Sequence, residues 1–191
     1  MEITISLDYE RFNHKPTNEI GAIVNRIAKE HTTISVEDLV SASVNGQTVA
    51  PLFKDGIKSN ATWVGQQVFY LDFDQKDGKT ITLETALARA KQYGLQPALA
   101  YTTFSEHGKF RMAFISPVLI SDVRVRNVIQ ESLSVIFPEH DTATNPPHSM
   151  VFGGRTLLYT DYDATLDGSS RVAGKSTRCS GTPGTEAAIA F

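Results

Sequence analysis

Apolar positions along this 191-residue chain recur with two different periods. Alternation marks the strands. Ile3 and Ile5 alternate with polar neighbours and predict a short strand over residues 1–6. From Gln67 to Asp74, Phe69, Leu71 and Phe73 alternate with Val68, Tyr70, Asp72 and Asp74, which is the period of a strand. Residues 97–105 predict a second apolar strand and 109–115 a third. Glu106-His-Gly108 reads as the turn that makes these two antiparallel. Residues 149–152 and 156–159 predict two further short strands. Helical spacing predicts a helix over 18–30, with Asn18 as N-cap and Ile20, Ile23, Val24 and Ile27 on one face. Ser35-Val-Glu-Asp38 opens a second, short helix carrying Leu39 and Val40. A third runs over 83–93, capped by Thr82 and stopped by Gly94, with Leu83, Ala86, Leu87 and Ala90 inward. Ser121 caps a fourth, with Val125, Val128, Ile129, Leu133 and Ile136 inward, ended before Pro138. Residues 44–60 read as loop, with Asn45-Gly46 as a turn.

The expected fold class is therefore α+β. Strand–helix–strand–strand–helix–strand resembles the split β-α-β order of RRM-like and polymerase-palm folds. That implies a mixed, mostly antiparallel sheet with helices on one side and an open face for substrate. The expected division is an N-terminal α/β subdomain (1–66), a palm-like core (67–163) and a small, polar tail or flap (164–191), in one compact unit.

Composition narrows the class. Hydrophobic residues are 41% of the chain and charged residues 20%, the balance of an ordinary globule. The formal net charge of −3 counts mildly against a general nucleic-acid binder but leaves room for a local basic groove. Cys179 is the single cysteine, so a disulfide framework and a zinc cluster are excluded. Neither a basic, apolar leader nor a run of ~20 apolar residues is visible. A cytoplasmic protein without membrane contact is expected.

Asp72 and Asp74 carry the sharpest chemical signal. Alternation puts both on one strand face, about 7 Å apart. Two such carboxylates repel unless a positive charge lies between them, and a divalent cation is the usual answer. A strand end running into the solvated turn Gln75-Lys-Asp-Gly-Lys79 is the plainer alternative. The third strand places Lys109 and Arg111 on one face, which suits an anion site or a charged edge strand. Trp63 could stack on a base, although a lone Trp beside a buried strand is more often core.

Taken together, Asp72-Phe-Asp74, the segment Thr102-Thr-Phe-Ser105-Glu-His-Gly-Lys-Phe-Arg111 and the later Asp141 in Phe137-Pro-Glu-His-Asp141 resemble the three motifs of the archaeo-eukaryotic primase superfamily. The stretch from Asn60 to Asp74 and Phe152-Gly-Gly154 also resemble replication proteins of plasmids, phages and other mobile elements. The resemblance spans roughly residues 35–160. It implies a primase-polymerase that extends or starts a primer on a single-stranded DNA template. Asp72, Asp74 and Asp141 would hold two Mg²⁺ or Mn²⁺ ions, and Ser105, Lys109 and Arg111 would bind the nucleoside triphosphate. His107 and Arg111 occupy the two positions where members place a motif II His. Arg111, on a strand, is favoured for phosphate, and His107 reads equally as a site residue or a solvated turn residue. Asp161 and Asp163 form a rival acidic pair for the third metal ligand. A helicase domain or partner would fit, with this chain as the catalytic piece. The other function classes left standing are a catalytically silent DNA- or origin-binding module and a metal-dependent nuclease.

Overall fold

A computed structural model of the chain describes residues 1–76, 78–105 and 108–166. Among these residues the fold is α+β, with two antiparallel sheets and four α-helices. The first sheet joins β1 (Glu2–Asp8), β2 (His31–Ser35) and β3 (Thr48–Ala50) in the order β2-β1-β3. Helices α1 (Ile20–Ile27) and α2 (Val36–Val44) belong to the same N-terminal section. The second sheet contains β4 (Leu52–Phe53), β5 (Trp63–Phe73), β6 (Leu99–Thr102), β7 (Phe110–Ile120) and β8 (Leu157–Thr160). Its order is β4-β5-β7-β6-β8. Helix α3 (Leu83–Gln92) follows β5, and α4 (Val123–Ile136) follows β7.

Alternation along β5 and β7 sorts their side chains onto two cores. Phe69, Leu71, Phe73, Phe110, Met112 and Phe114 pack under α3 and α4 with Ala86, Ala90, Leu133 and Phe137. Val68, Tyr70, Ala113 and Ile115 turn the other way and meet Ile3, Ile5, Leu39 and Val40. The helices of the large sheet thus lie on one side, as expected. The opposite face is not open: the N-terminal section covers it. Apolar residues on β1 and α2 leave water by packing against this face. At the end of that face, where β5 finishes, Asp72 and Arg111 keep a small exposure of 14% and 11%.

Several local expectations shift. Strands β2, β3 and β4 were not anticipated. β3 and β4 are three and two residues long, too short for a period, and they exist by pairing with β1 and β5. Helix α1 starts behind Glu19 rather than Asn18, with no side-chain cap, and Ile20 is exposed. Ser35 and Thr82 cap α2 and α3 as expected, accepting from the N–H groups of Asp38 and Thr85. The cap of α4 is Asp122, not Ser121, accepting from Arg124 N–H. The larger correction concerns that helix's face. Val125 and Val128 are exposed, and Arg126, Gln130 and Leu133 are buried. The inward polar pair finds partners: Arg126 Nε donates to Gln66 Oε1 at 2.8 Å and Gln130 Nε2 to Asn145 Oδ1 at 3.1 Å. Trp63 is core, packed with Ile27, Ala50 and Phe53. Residues 164–166 pack on the sheet: Ala164 is buried and Leu166 N–H donates to Ile115 O at 2.8 Å. The rest of the expected tail lies outside the described residues. No helix among the described residues is long and apolar enough to cross a membrane.

Candidate active site

The register of β5 against β7 builds the site. Asp72 faces Arg111 across the ladder, and one step further Phe73 faces Phe110. Continuing that antiparallel register sets Asp74 opposite Lys109. Each acidic residue of the Asp72-Phe-Asp74 pair therefore meets a basic residue of the third strand. Cross-strand neighbours on one face lie about 5 Å apart, close enough to pair.

Asp141 arrives from far along the chain. Its N–H donates to the Asp72 carbonyl at 2.7 Å, an isolated antiparallel bridge on the side of β5 that the short β4 does not reach. Three sets of contacts hold the incoming segment, two of them buried or half-buried. His140 is 2% exposed, with Nδ1 at 2.7 Å from Phe137 O and Nε2 at 3.0 Å from Asn145 Oδ1. Arg89 of α3 clamps Glu139 through two hydrogen bonds of 2.6 and 2.9 Å. Asp141 Oδ1 accepts from Ala143 N–H at 2.9 Å and so caps the 3₁₀ turn Thr142–Thr144. The three expected carboxylates are thereby gathered at one end of β5.

Their surroundings differ. Asp72 Oδ2 accepts from Arg111 Nη2 at 2.8 Å, with side chains only 14% and 11% exposed. Arg111 also donates through Nη1 to the Phe152 carbonyl. Burial alone would push the Arg111 pKa down, but the Asp72 carboxylate outweighs it and holds the guanidinium charged. Asp72 Oδ1 is buried with no hydrogen-bond partner among the described residues. Asp74 and Asp141 are each 25% exposed and share one ammonium, Lys76 Nζ, at 2.9 Å from an oxygen of each. Lys109 Nζ lies 3.7 Å from the other oxygen of Asp74. Burial raises the Asp74 pKa, and the Lys76 hydrogen bond with the Lys109 and Lys76 charges more than reverses this. The Ala143 N–H and then Lys76 lower that of Asp141.

Backbone geometry presents these groups. Gln75 sits at φ +53°, uncommon for a residue with a Cβ. Its amide is tied to Ile81, accepting from Ile81 N–H at 2.9 Å and donating to Ile81 O at 2.6 Å. The turn thus leaves β5 sharply, and Lys76 folds back over Asp74. Gly153 and Gly154 let the chain after Asp141 pass close to α2 and β6. A Cβ at Gly154 would stand 1.8 Å from Thr102 O, and one at Gly153 2.6 Å from Ser43 O. That close passage brings the Phe152 carbonyl onto Arg111.

A depression of about 300 Å³ opens beside Asp74, Lys76, Lys79, Glu139, His140 and Asp141. A larger groove of about 660 Å³ adjoins it, walled by Thr80, the first turn of α3, Arg89, Gly108 and Lys109. Both are in the size range of small-ligand sites. Ser105 lies in the loop after β6, its N–H donating to Thr103 Oγ1 at 3.3 Å. No hydrogen bond or ion pair among the described residues joins it to the carboxylates. His107 lies outside the described residues. Asp161 accepts from Gln96 and is bonded through its N–H to Ala98 O, at the β8 edge three strands from β5. It and its neighbour Asp163 are not in the site. The sequence pattern does not mark Lys76, the Phe152 carbonyl or His140 as site groups. Lys76 sits in a Lys-Asp-Gly turn that reads as solvated, so only the fold back over Asp74 reveals it.

The donor set at this end is carboxylate oxygen, the chemistry that suits Mg²⁺ or Mn²⁺ rather than zinc. Among the described residues no group of three His, Cys, Asp or Glu is already arranged around an ion position. An ammonium between Asp74 and Asp141 and a buried, unpartnered oxygen on Asp72 fit a divalent cation, once Lys76 gives way.

No family model matches the chain, and no curated protein matches it. A solved structure that does match is the AEP domain of the primase-polymerase of cyanophage S-2L, at 13% identity. The match covers 79% of this chain and 71% of that one, with a TM-score of 0.42.

Proposed function

We propose that the chain is a nucleotidyltransferase of the primase-polymerase kind, acting on a single-stranded DNA template with nucleoside triphosphates and Mg²⁺ or Mn²⁺. One observation carries this: Asp141, 65 residues beyond Lys76, is bonded back onto β5 so that its carboxylate joins that of Asp74 on one ammonium. Three carboxylates gathered at one strand end repel one another and call for positive charge, which a divalent cation would supply. The motif spacing in the sequence supports the same chemistry.

Asp72, Asp74 and Asp141 would hold the ions, which when bound would activate the primer hydroxyl and stabilise the leaving pyrophosphate. Lys109 borders the adjoining groove and offers its ammonium to an anion there. Arg111 differs from the sequence expectation. It is spent on Asp72 and the Phe152 carbonyl, so it orients Asp72 rather than reaching for phosphate. Ser105 and His107 remain as nucleotide contacts from the motif resemblance alone.

A second reading has an observation in its favour. Every acidic residue of the cluster is already paired with a cation of the chain itself. That would suit a silent module that binds nucleic acid without metal. Primer extension separates the two. The protein is incubated with primed single-stranded template, labelled nucleotides and Mn²⁺ or Mg²⁺, beside an Asp74→Asn/Asp141→Asn control. This pair is preferred to Asp72, whose loss would strand a buried guanidinium. Extension that vanishes in the control supports the polymerase. Template binding without extension in both proteins supports the silent module, and nucleotide-independent cutting a nuclease.

A further inference from the structure

We propose that Lys76 is an internal stand-in for the divalent cation: its ammonium holds Asp74 and Asp141 together in the metal-free protein and leaves when the ion binds. The inference rests on the metal-dependent reading above and adds a residue that the motif resemblance does not assign. Two carboxylates meeting at one point repel, and Lys76 Nζ lies 2.9 Å from an oxygen of both. The two cations that neutralise the cluster differ in whether they can depart. Arg111 is 11% exposed and anchored a second time by the Phe152 carbonyl. Lys76 is 53% exposed, and its side chain reaches the carboxylates from a surface turn. That turn is closed by backbone and by another side chain. Lys79 N–H donates to Lys76 O at 2.9 Å, and Gln75 is tied to Ile81. The ammonium can therefore swing out while the backbone stays. The depression of about 300 Å³ beside it provides the space. An ammonium is a monovalent point charge on a flexible stem, whereas a divalent ion brings twice the charge to the same oxygens. Ion affinity is then a net quantity, the binding of the ion less the cost of displacing Lys76.

The test is direct Mn²⁺ binding to the full chain without nucleotide, followed by the electron paramagnetic resonance of free Mn²⁺ at fixed ionic strength. Exposed ion pairs are weak, so Lys76→Gln is expected to tighten Mn²⁺ binding about tenfold. Lys79→Gln removes the same formal charge from the same depression and is expected to change affinity less than about twofold. Lys76→Arg, which keeps a cation in place, is expected to fall close to wild type. Equal affinity of wild type and Lys76→Gln would overturn the role of Lys76, and if Asp74→Asn/Asp141→Asn still lost the ion, the metal site itself would stand. Weaker binding by Lys76→Gln, or equal tightening by the two glutamine variants, would also overturn it. Failure of every form to bind Mn²⁺ would remove the metal-dependent reading and this proposal together.

Discussion

Two ion-pair clusters sit side by side at the end of β5, and they are built to opposite specifications. Asp72 and Arg111 are nearly buried, paired across the ladder and locked by the Phe152 carbonyl. Asp74, Asp141 and Lys76 are partly open to water and come from a strand end, a distant loop and a surface turn. The first pair cannot rearrange without leaving a charge in a low-dielectric place. The second can exchange its cation at small cost, because water screens whatever is exposed. The difference teaches that a conspicuous acidic pair divides its labour. The inner carboxylate is fixed at the strand end, and the outer one stays partly open to water.

The largest expected effect tests the inner pair. Arg111→Met leaves the Asp72 carboxylate buried and unpaired, at a cost of about 3–5 kcal/mol. For a chain of this length that is roughly a 10 °C fall in melting temperature, measurable by thermal unfolding. A loss of under 1 kcal/mol would show that water reaches Asp72 and that the two clusters are alike. Gly154→Ala comes next, at about 1–3 kcal/mol, because its methyl would meet the Thr102 carbonyl. Denaturant unfolding would read it, and wild-type stability would mean that the loop after Asp141 is free to shift.

Asp74→Asn should cost less than about 1 kcal/mol of stability yet lower primer extension roughly 10²-fold or more. Equal losses in both assays would erase the contrast. The outer cluster also predicts acid sensitivity. Asp74 and Asp141 are held below the ordinary carboxylate value of 3.8 in the folded chain. A lowered folded pKa adds stability that is complete above the unfolded pKa and is lost as pH falls through the folded value. Urea midpoints should therefore drop below about pH 4, and drop less steeply in Asp74→Asn. The smallest effect is Val128→Ser on α4, within about 0.5 kcal/mol because Val128 is exposed. Leu133→Ala, on the buried face, should cost about 2–5 kcal/mol by the same measurement.

Where alternation or helical spacing is strong and locally capped, the elements were legible. β5, α2 and α3 show this, with Ser35 and Thr82 at their expected caps. Local pattern is ambiguous where apolar residues have two competing uses. Helix α4 carries apolar residues around most of its circumference, so hydrophobicity alone favours Val125 and Val128 as readily as Leu133. The fold turned Arg126 and Gln130 inward because Gln66 and Asn145 are there to satisfy them. The short strands β3 and β4 carry no period of their own. Their pairing energy comes from partners remote in the chain.

By itself the sequence determined that Asp72 and Asp74 share a face, that Arg111 and Lys109 share another, and that Phe69, Phe73 and Phe114 lie on the side away from the charges. Those are consequences of a two-residue period and hold wherever the strands go. Only the tertiary structure decided that the two charged faces are the same one. The register sets Asp72 on Arg111, the N-terminal section closes the sheet face behind them, and a backbone bond delivers Asp141 instead of Asp161. Register and long-range closure depend on the summed packing of distant segments, which no local pattern encodes.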